Sequence, residues 1–350
     1  MLNGVDVQAG TAGRIVVVGS LNADLTVYCE RLPLPGETVH GSGFAVHPGG
    51  KSANQAVAAS LLGGAVSLIG AVGDDTNGAM LTASAAGAGV DISRVRISQT
   101  AATGVAVIAV DSYGENTIII SPGANGTLGP ADVHASGDAF DGASVICLCL
   151  EVSLETVVAA ARSGREAGAT VLLNLSPYSD IPQELVGLVD ILLVNAHEAS
   201  LFLGGAAISE GGIPEGKDKA GWERARVRFA ELGLQCVVVT LGANGSVVLD
   251  SAADEDSKVV RVAPVEVKAV DTTGAGDAFT GALAARLAAG ASLKDAAAFA
   301  SAASSLAVTR KGTQAAYPDV EDVRRLLGFP SAGFPTTGFP SAPRGAPRGE

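Results

Sequence analysis

The sequence predicts an α/β protein: a mainly parallel central sheet flanked by helices, with a small second β-sheet set apart from it. Three observations predict this. Runs such as IVVV (15–18) and VICLCL (145–150) are apolar at every position rather than alternating, which marks strands covered on both faces. Between residues 143 and 240 such runs alternate with segments of helical period, the pattern of βα units. Residues 24–47 break that pattern with short alternating stretches, a P-x-P-G turn and no helical period.

RIVVVGS (14–20) is a buried strand ending in glycine. The 24–47 stretch then predicts a small antiparallel sheet inserted after it. A helix with glycines at both ends occupies 49–64, a strand 65–73 and a helix 76–87. Strands at 103–110 and 115–120 flank DSYG, a hairpin turn signal. Strands follow at 143–150, 170–175, 189–194 and 235–240, with helices at 153–167, 197–203 and 218–232. A hairpin at about 244–263 precedes helices at 276–289, 293–308 and 319–327, so one domain spans 14–327. Residues 1–13 are expected to be a flexible leader. Residues 328–350 repeat a GFP-x-x pentad three times, a composition that cannot build a core and is expected to be disordered.

The chain has 350 residues, 47% of them hydrophobic, which is enough for a sizeable core. A net charge of −13, from 36 acidic and 23 basic residues, argues against nucleic acid and against an anionic membrane surface. It does not argue against a phosphate ligand, which backbone N–H groups can hold. No apolar run is long enough to span a membrane, and the first residues lack a secretory pattern. Cys29, Cys147, Cys149 and Cys236 show no C-x-x-C spacing. They are expected to be buried hydrophobes, with Cys147 and Cys149 on one side of their strand, in a cytoplasmic protein. His40, His47, His134 and His197 form no metal or nucleophile pattern, and Trp222 and Tyr28 are expected to pack.

The chemistry concentrates in DTTGAGDAF, Asp271 to Phe279, which follows a strand-like segment and opens a helix. Its glycines permit a sharp turn, and the first N–H groups of the helix lack partners and carry its positive dipole end. Gly274, Ala275 and Gly276 thus prepare an anion hole. Asp277 beside that hole has two readings of about equal weight: a helix cap, or a base for a hydroxyl attacking a phosphate held by those amides. Near the start of the chain, GSLNAD (19–24) puts Asn22 and Asp24 at the end of a buried strand, and GGKSAN (49–54) opens a helix with Lys51 and Asn54. Such a set suits a polyhydroxylated sugar, although turn and cap chemistry would explain each residue alone. GGKS is not a Walker A sequence, because Ala45 stands where that motif needs glycine, and VVVGSLNAD contains no G-x-G-x-x-G.

GSLNAD, the P-x-P-G-E-T turn, HPGGKSANQAVAA, TGVAVIAVDSYGENTIIISPGAN, VNAHE, VVVTLGANGS and DTTGAGDAFTGAL occur in this order. The set resembles the ribokinase, or phosphofructokinase-B type, family of carbohydrate kinases over about residues 14–327. The resemblance implies a ribokinase-like fold and ATP-dependent phosphorylation of D-ribose at O5. Asp277 would be the general base, and the Gly274–Asp277 backbone would be the anion hole. Asn22, Asp24, Gly50, Lys51, Asn54 and Glu151 would bind the sugar. Asn195 and Glu198 match the family's N-x-x-E, implicated in phosphate and Mg²⁺ handling, with Glu198 acting through water. Thr240, Gly242, Gly245, Gly276 and Ser301 would line the nucleotide. A K⁺ site would use Asp271, Thr273 and carbonyls of Ala307, Arg310 and Gly312. Ala316 stands where the family often offers a serine hydroxyl, which implies weaker cation dependence. The resemblance also implies that the small sheet, formed mainly by about 24–47 and 103–120, is a lid, and a homodimer joined through it is expected. The rival expectations are a sibling kinase for deoxyribose, fructose or adenosine, and an inactive sugar- or nucleotide-binding regulator.

Overall fold

A computed structural model of the chain describes residues 13–204 and 218–328. The expected leader and tail lie outside the described residues but for Gly13 and Gly328. The chain opens with β1 (Arg14–Val18), β2 (Asn22–Cys29) and β3 (Gly41–Gly49), followed by α1 (Lys51–Leu61), β4 (Ala65–Gly73), α2 (Thr76–Gly87) and β5 (Asp91–Ser98). Then come β6 (Gly104–Val110), β7 (Asn116–Ser121), α3 (Pro130–Ala135), β8 (Ala143–Leu148), α4 (Leu154–Glu166), β9 (Thr170–Asn174), α5 (Gln183–Val186) and β10 (Ile191–Asn195). The last part carries α6 (Ala196–Phe202), α7 (Lys219–Glu231), β11 (Cys236–Thr240), β12 (Ser246–Asp250), β13 (Val259–Val262), α8 (Ala275–Ala288), α9 (Leu293–Ala307) and α10 (Val320–Leu326).

The larger sheet has the order β13-β12-β11-β10-β9-β8-β1-β4-β5. Pairing is parallel from β5 through to β11, and the expected hairpin adds β12 and β13 antiparallel at one edge. Successive residues of a strand face opposite ways. Accordingly Ile15 and Val17 of β1 enter a core under α1, α2, α8, α9 and α10, whereas Val16 and Val18 enter a second core under α3 to α7. The all-apolar strands therefore serve two helical layers at once. Trp222 and Phe229 of α7 are buried in the second core, as packing residues.

The smaller sheet has the order β3-β2-β6-β7. It is mixed rather than antiparallel. β2 pairs antiparallel with β3 and β6 with β7, but β2 and β6 run parallel. The reason is the crossover: the chain leaves β3, builds α1, β4, α2 and β5, and returns to the small sheet running with β2 and opposite to β3. Three elements escape the sequence pattern. β5 is a charged edge strand, DISRVRIS, and α3 and α5 are too short to show a period.

Two helices on one face of the large sheet, α1 and α8, approach closely where α8 carries Gly281. A Cβ there would stand 2.5 Å from the Gln55 carbonyl oxygen and 2.8 Å from the Ala59 nitrogen. The absent side chain lets α8 lie against the backbone of α1, which brings residues 54 and 55 of α1 to the first turn of α8. Gly281→Val should therefore lower stability by about 1–3 kcal/mol or more through overpacking. Urea unfolding would show the loss, and it should exceed that of Gly276→Ala, where an added Cβ meets nothing within 4 Å.

Candidate active site

The DTTGAGDAF turn is braced from below. The amides of Val270 and Asp271 both donate to the Val308 carbonyl at the end of α9, at 2.7 and 3.2 Å. Gly274 is the N-cap of α8 with φ 73° and ψ 5°, the left-handed region. A Cβ at this position would come within 2.6 Å of Thr313 and 2.7 Å of the Tyr317 hydroxyl. That hydroxyl donates to the Gly274 carbonyl at 3.2 Å. Burial, with Asp277 and Asp24 nearby, pushes the Tyr317 pKa well up, so it stays a donor. No side chain caps α8. Of its first-turn N–H groups, that of Ala275 donates to the Thr272 carbonyl at 3.2 Å, while those of Gly276 and Asp277 have no intrahelical acceptor, and Gly276 is exposed.

Asp277 is the third residue of α8 and is buried. Its Oδ2 accepts from Asn54 Nδ2 and its Oδ1 from Gln55 Nε2, both at 3.0 Å. The carboxylate is thus engaged by α1, and the N-cap position belongs to Gly274, which weighs against the cap reading. Burial raises the Asp277 pKa, while Lys51 and the two amides oppose that rise. The group is a carboxylate whose basicity is lifted yet whose charge is still supported, as a base working near neutral pH requires.

Around it stand the other expected sugar residues. Gly50 caps α1 at φ 88°, where a Cβ would lie 2.6 Å from the Asn22 nitrogen. This close crossing joins GSLNAD to GGKSAN. Asn22 Oδ1 accepts from Asn125 at 2.8 Å, and Asn125 also bonds both backbone groups of Leu21. Glu151 Oε2 accepts from the Ser20 hydroxyl at 2.5 Å and from the Lys51 amide at 3.0 Å. One oxygen of Glu151 therefore holds the start of α1. Burial works against the Lys51 ammonium, but Asp277 and Glu151 outweigh it and its pKa is raised. Asp24 is pushed up to about 7 by burial first, then by Glu151 and Asp277, against the pull of Lys51. Asn22, Asp24, Gly50, Lys51, Asn54, Glu151 and Asp277 are thus brought together at the start of α1 and the first turn of α8.

A second group lies at the carboxyl ends of the neighbouring strands. Asn195 ends β10 directly opposite Thr240 at the end of β11. The N-x-x-E segment folds as a reciprocal capping box on α6, with the Glu198 amide donating to Asn195 Oδ1 and the Asn195 amide to Glu198 Oε2, both at 2.8 Å. Gly242 and Gly245 have φ 57° and 84° in the turn after β11. Ser301 is buried in α9. Among the expected cation ligands, Asp271 accepts from the amides of Thr273 at 3.0 Å and Gly312 at 2.9 Å. The Ala307 carbonyl accepts from the Arg310 amide at 3.4 Å. The oxygen-rich loops before α8 and after α9 are thereby tied together, a donor set that suits a hard monovalent cation.

Sequence reasoning missed Gln55, Gln314, Asn125 and Ser20. Ser20, Gln55 and Asn125 sit within the stretches quoted for the resemblance, but side-chain orientation alone reveals what they hold. Cys147 and Cys149 do share a face and both touch α1, at Gln55 and Ser52. A cavity of about 710 Å³ beside α4 is lined by none of these residues. Convergent polar chemistry, rather than cavity size, places the site.

The sequence profile described as the pfkB family carbohydrate kinase matches residues 12–320, and the chain belongs to that family. It is 35% identical to a ribokinase of Schizosaccharomyces pombe over 316 residues, covering 88% of this chain and 96% of that one. It is 33% identical to a deoxyribokinase of Salmonella typhi over 317 residues, covering 90% of this chain and 99% of that one. The structure of the Arabidopsis thaliana ribokinase complexed with ribose and ATP matches with a TM-score of 0.81 at 33% identity, over 91% of this chain and 100% of that one.

The raised Asp24 pKa carries a sign. A carboxyl whose folded pKa lies above its unfolded value stabilises the fold below about 3.8 and loses that contribution as pH climbs toward about 7. The sugar-free protein should therefore gain stability from pH 8 to pH 5 partly through Asp24. In Asp24→Asn that gain should shrink by about 1–2 kcal/mol after allowance for solvent screening, as read by urea unfolding at the two pH values. An unchanged gain would remove Asp24 from this linkage.

Proposed function

We propose that the chain transfers the γ-phosphoryl group of ATP to the 5-hydroxyl of D-ribose, giving ribose 5-phosphate and ADP. One observation carries the reading: a buried carboxylate, Asp277, gripped by two amides beside the open N-terminus of a helix. Membership of a carbohydrate kinase family and the likeness to a ribokinase holding ribose and ATP support it.

In this reading Asn22, Asp24, Gly50, Lys51, Asn54 and Glu151 hold the sugar hydroxyls and present O5 to Asp277. As the O5–phosphorus bond forms and the bond to the leaving ADP oxygen breaks, the O5 proton passes to Asp277. The amides of the Gly274–Asp277 turn face the charge on the transferring group. The work of the protein is positioning and charge stabilisation. Thr240, Gly242, Gly245, Gly276 and Ser301 would border the nucleotide. Mg²⁺, held through water near Glu198 and Asn195, would neutralise phosphate charge when bound. Asp271, Thr273, Ala307, Arg310 and Gly312 would hold K⁺, which would fix the loop beneath the anion hole.

The smaller sheet would serve as the lid that keeps water from the reaction. On one of its faces Phe44, Val46, Val107 and Ile119 are exposed. This exposed apolar face supports a homodimer joined through the two small sheets. Among the described residues no helix is long and apolar enough to cross a membrane, and we assign the protein to the cytoplasm. A second reading, transfer to deoxyribose, is favoured by the likeness to a deoxyribokinase.

ADP release with Mg²⁺ and ATP, measured across ribose, deoxyribose, fructose and adenosine, tests the assignment. Ribose should give the highest kcat/KM, by about tenfold or more over deoxyribose if the site bonds the 2-hydroxyl. Replacing K⁺ by Na⁺ should lower the rate. A preference for another acceptor would keep the kinase and change its substrate. Sugar binding without ADP release would replace the enzyme by a regulator.

A further inference from the structure

The proposed chemistry needs Asp277 to arrive at the sugar both ionised and correctly turned. Its two oxygens are held by two neutral carboxamides, Asn54 and Gln55, one to each oxygen at 3.0 Å. A carboxamide is nearly symmetric in shape. Turned over, it would point its own oxygen at the carboxylate and repel it. Something must fix which end faces Asp277.

The structure supplies that element on both arms. Gln55 Oε1 accepts from the Cys147 thiol at 3.3 Å. Asn54 Oδ1 accepts from Gln314 Nε2 at 3.0 Å, and Gln314 Oε1 in turn accepts from the Ser84 hydroxyl at 2.8 Å. Each outer donor occupies the acceptor end of the inner amide and leaves only its N–H groups for Asp277. Burial pushes the Cys147 thiol up, so it keeps the proton that it donates to the amide oxygen. Gln55 and Cys147 are both at 0% exposure. They cannot touch a sugar or a nucleotide and act only through Asp277.

On the basis of the kinase reading of this site, we propose that Gln55 is a positioning residue for the phosphoryl transfer, and that Cys147 fixes the polarity of its amide so that the Asp277 carboxylate is held in one rotation and kept ionised. Neutral donors suit the task. A direct ion pair would make the carboxylate too weak a base, and an apolar wall would leave it protonated. The charged and titratable groups around Asp277 are Lys51 from α1, Glu151 after β8, Asp24 from β2, Tyr317 from the turn before α10 and Cys147 from β8. Of these only Lys51 favours the ionised form, so the two amides supply much of what offsets burial.

Gln55→Met keeps the volume and removes the donor. Losing a donor to the ionised form raises the carboxyl pKa, so less of the base is competent at a given pH. The acid limb of the kcat/KM profile for ribose should move up by about one pH unit, the scale of one charge-assisted hydrogen bond. On that limb kcat/KM should fall about tenfold at a given pH, while the ribose Kd by calorimetry stays within about threefold. Should Gln55→Met not fold, the Cys147 pair decides: Cys147→Ser retains a donor and should keep the wild-type limb, whereas Cys147→Val should shift it upward. An acid limb unchanged in Gln55→Met, or in Cys147→Val when only that variant folds, overturns the proposal even if stability drops. Wild-type protein inactive on every sugar would instead remove the kinase reading, and the proposal with it.

Discussion

The burial of one carboxylate against a neighbouring helix is the constraint on which the rest of the site depends. Asp277 is 6% exposed, and an ionised carboxylate at that depth is costly without donors. Its donors come from α1, so α1 must lie within hydrogen-bonding reach of α8. That closeness is possible because Gly281 has no side chain. α1 must also begin at a fixed height, and Gly50 and Glu151 set it by the turn they make and the amide they hold. The residues proposed to hold the sugar are then those already gathered around the start of α1. Site and scaffold therefore share the same contacts.

The same sharing appears in the loop after α9. Gly312 donates to Asp271, the Thr313 hydroxyl to the Pro48 carbonyl, and Gln314 to Asn54. Three consecutive residues thus join the expected cation loop, the end of β3 in the small sheet, and the amide that holds Asp277. A shift in any one of these would reach the others through a chain of direct bonds.

How much of this was legible in the sequence varies with the kind of signal. The parallel sheet was legible because IVVV (15–18) and VICLCL are apolar at every position, and only a strand covered on both faces needs that. The glycine turn before Asp277 was legible because a left-handed N-cap at Gly274 admits little else. The direction of β6 was not, since a strand's residues look alike whichever neighbour it joins; the parallel pairing with β2 depends on the crossover through β4 and β5. β5 escaped because arginines and serines interrupt its apolar positions. The roles of Gln55 and Gln314 were hidden for a different reason. A glutamine in a helix reads as a polar surface residue, and only the packing of α1 under α8 shows that this one is buried against a carboxylate. Asn195 and Glu198 were legible as a motif, yet the structure adds that they cap each other's backbone.

The central claim is that Asp277 acts as a base on a bound sugar hydroxyl rather than as a prop for the helix. Asp277→Asn tests it most directly, because the amide keeps the shape and loses the basicity. The account predicts that ribose binding by calorimetry stays close to wild type while turnover falls by about 10²–10⁴, the range for lost acid–base catalysis. Turnover near wild type in that variant would contradict it.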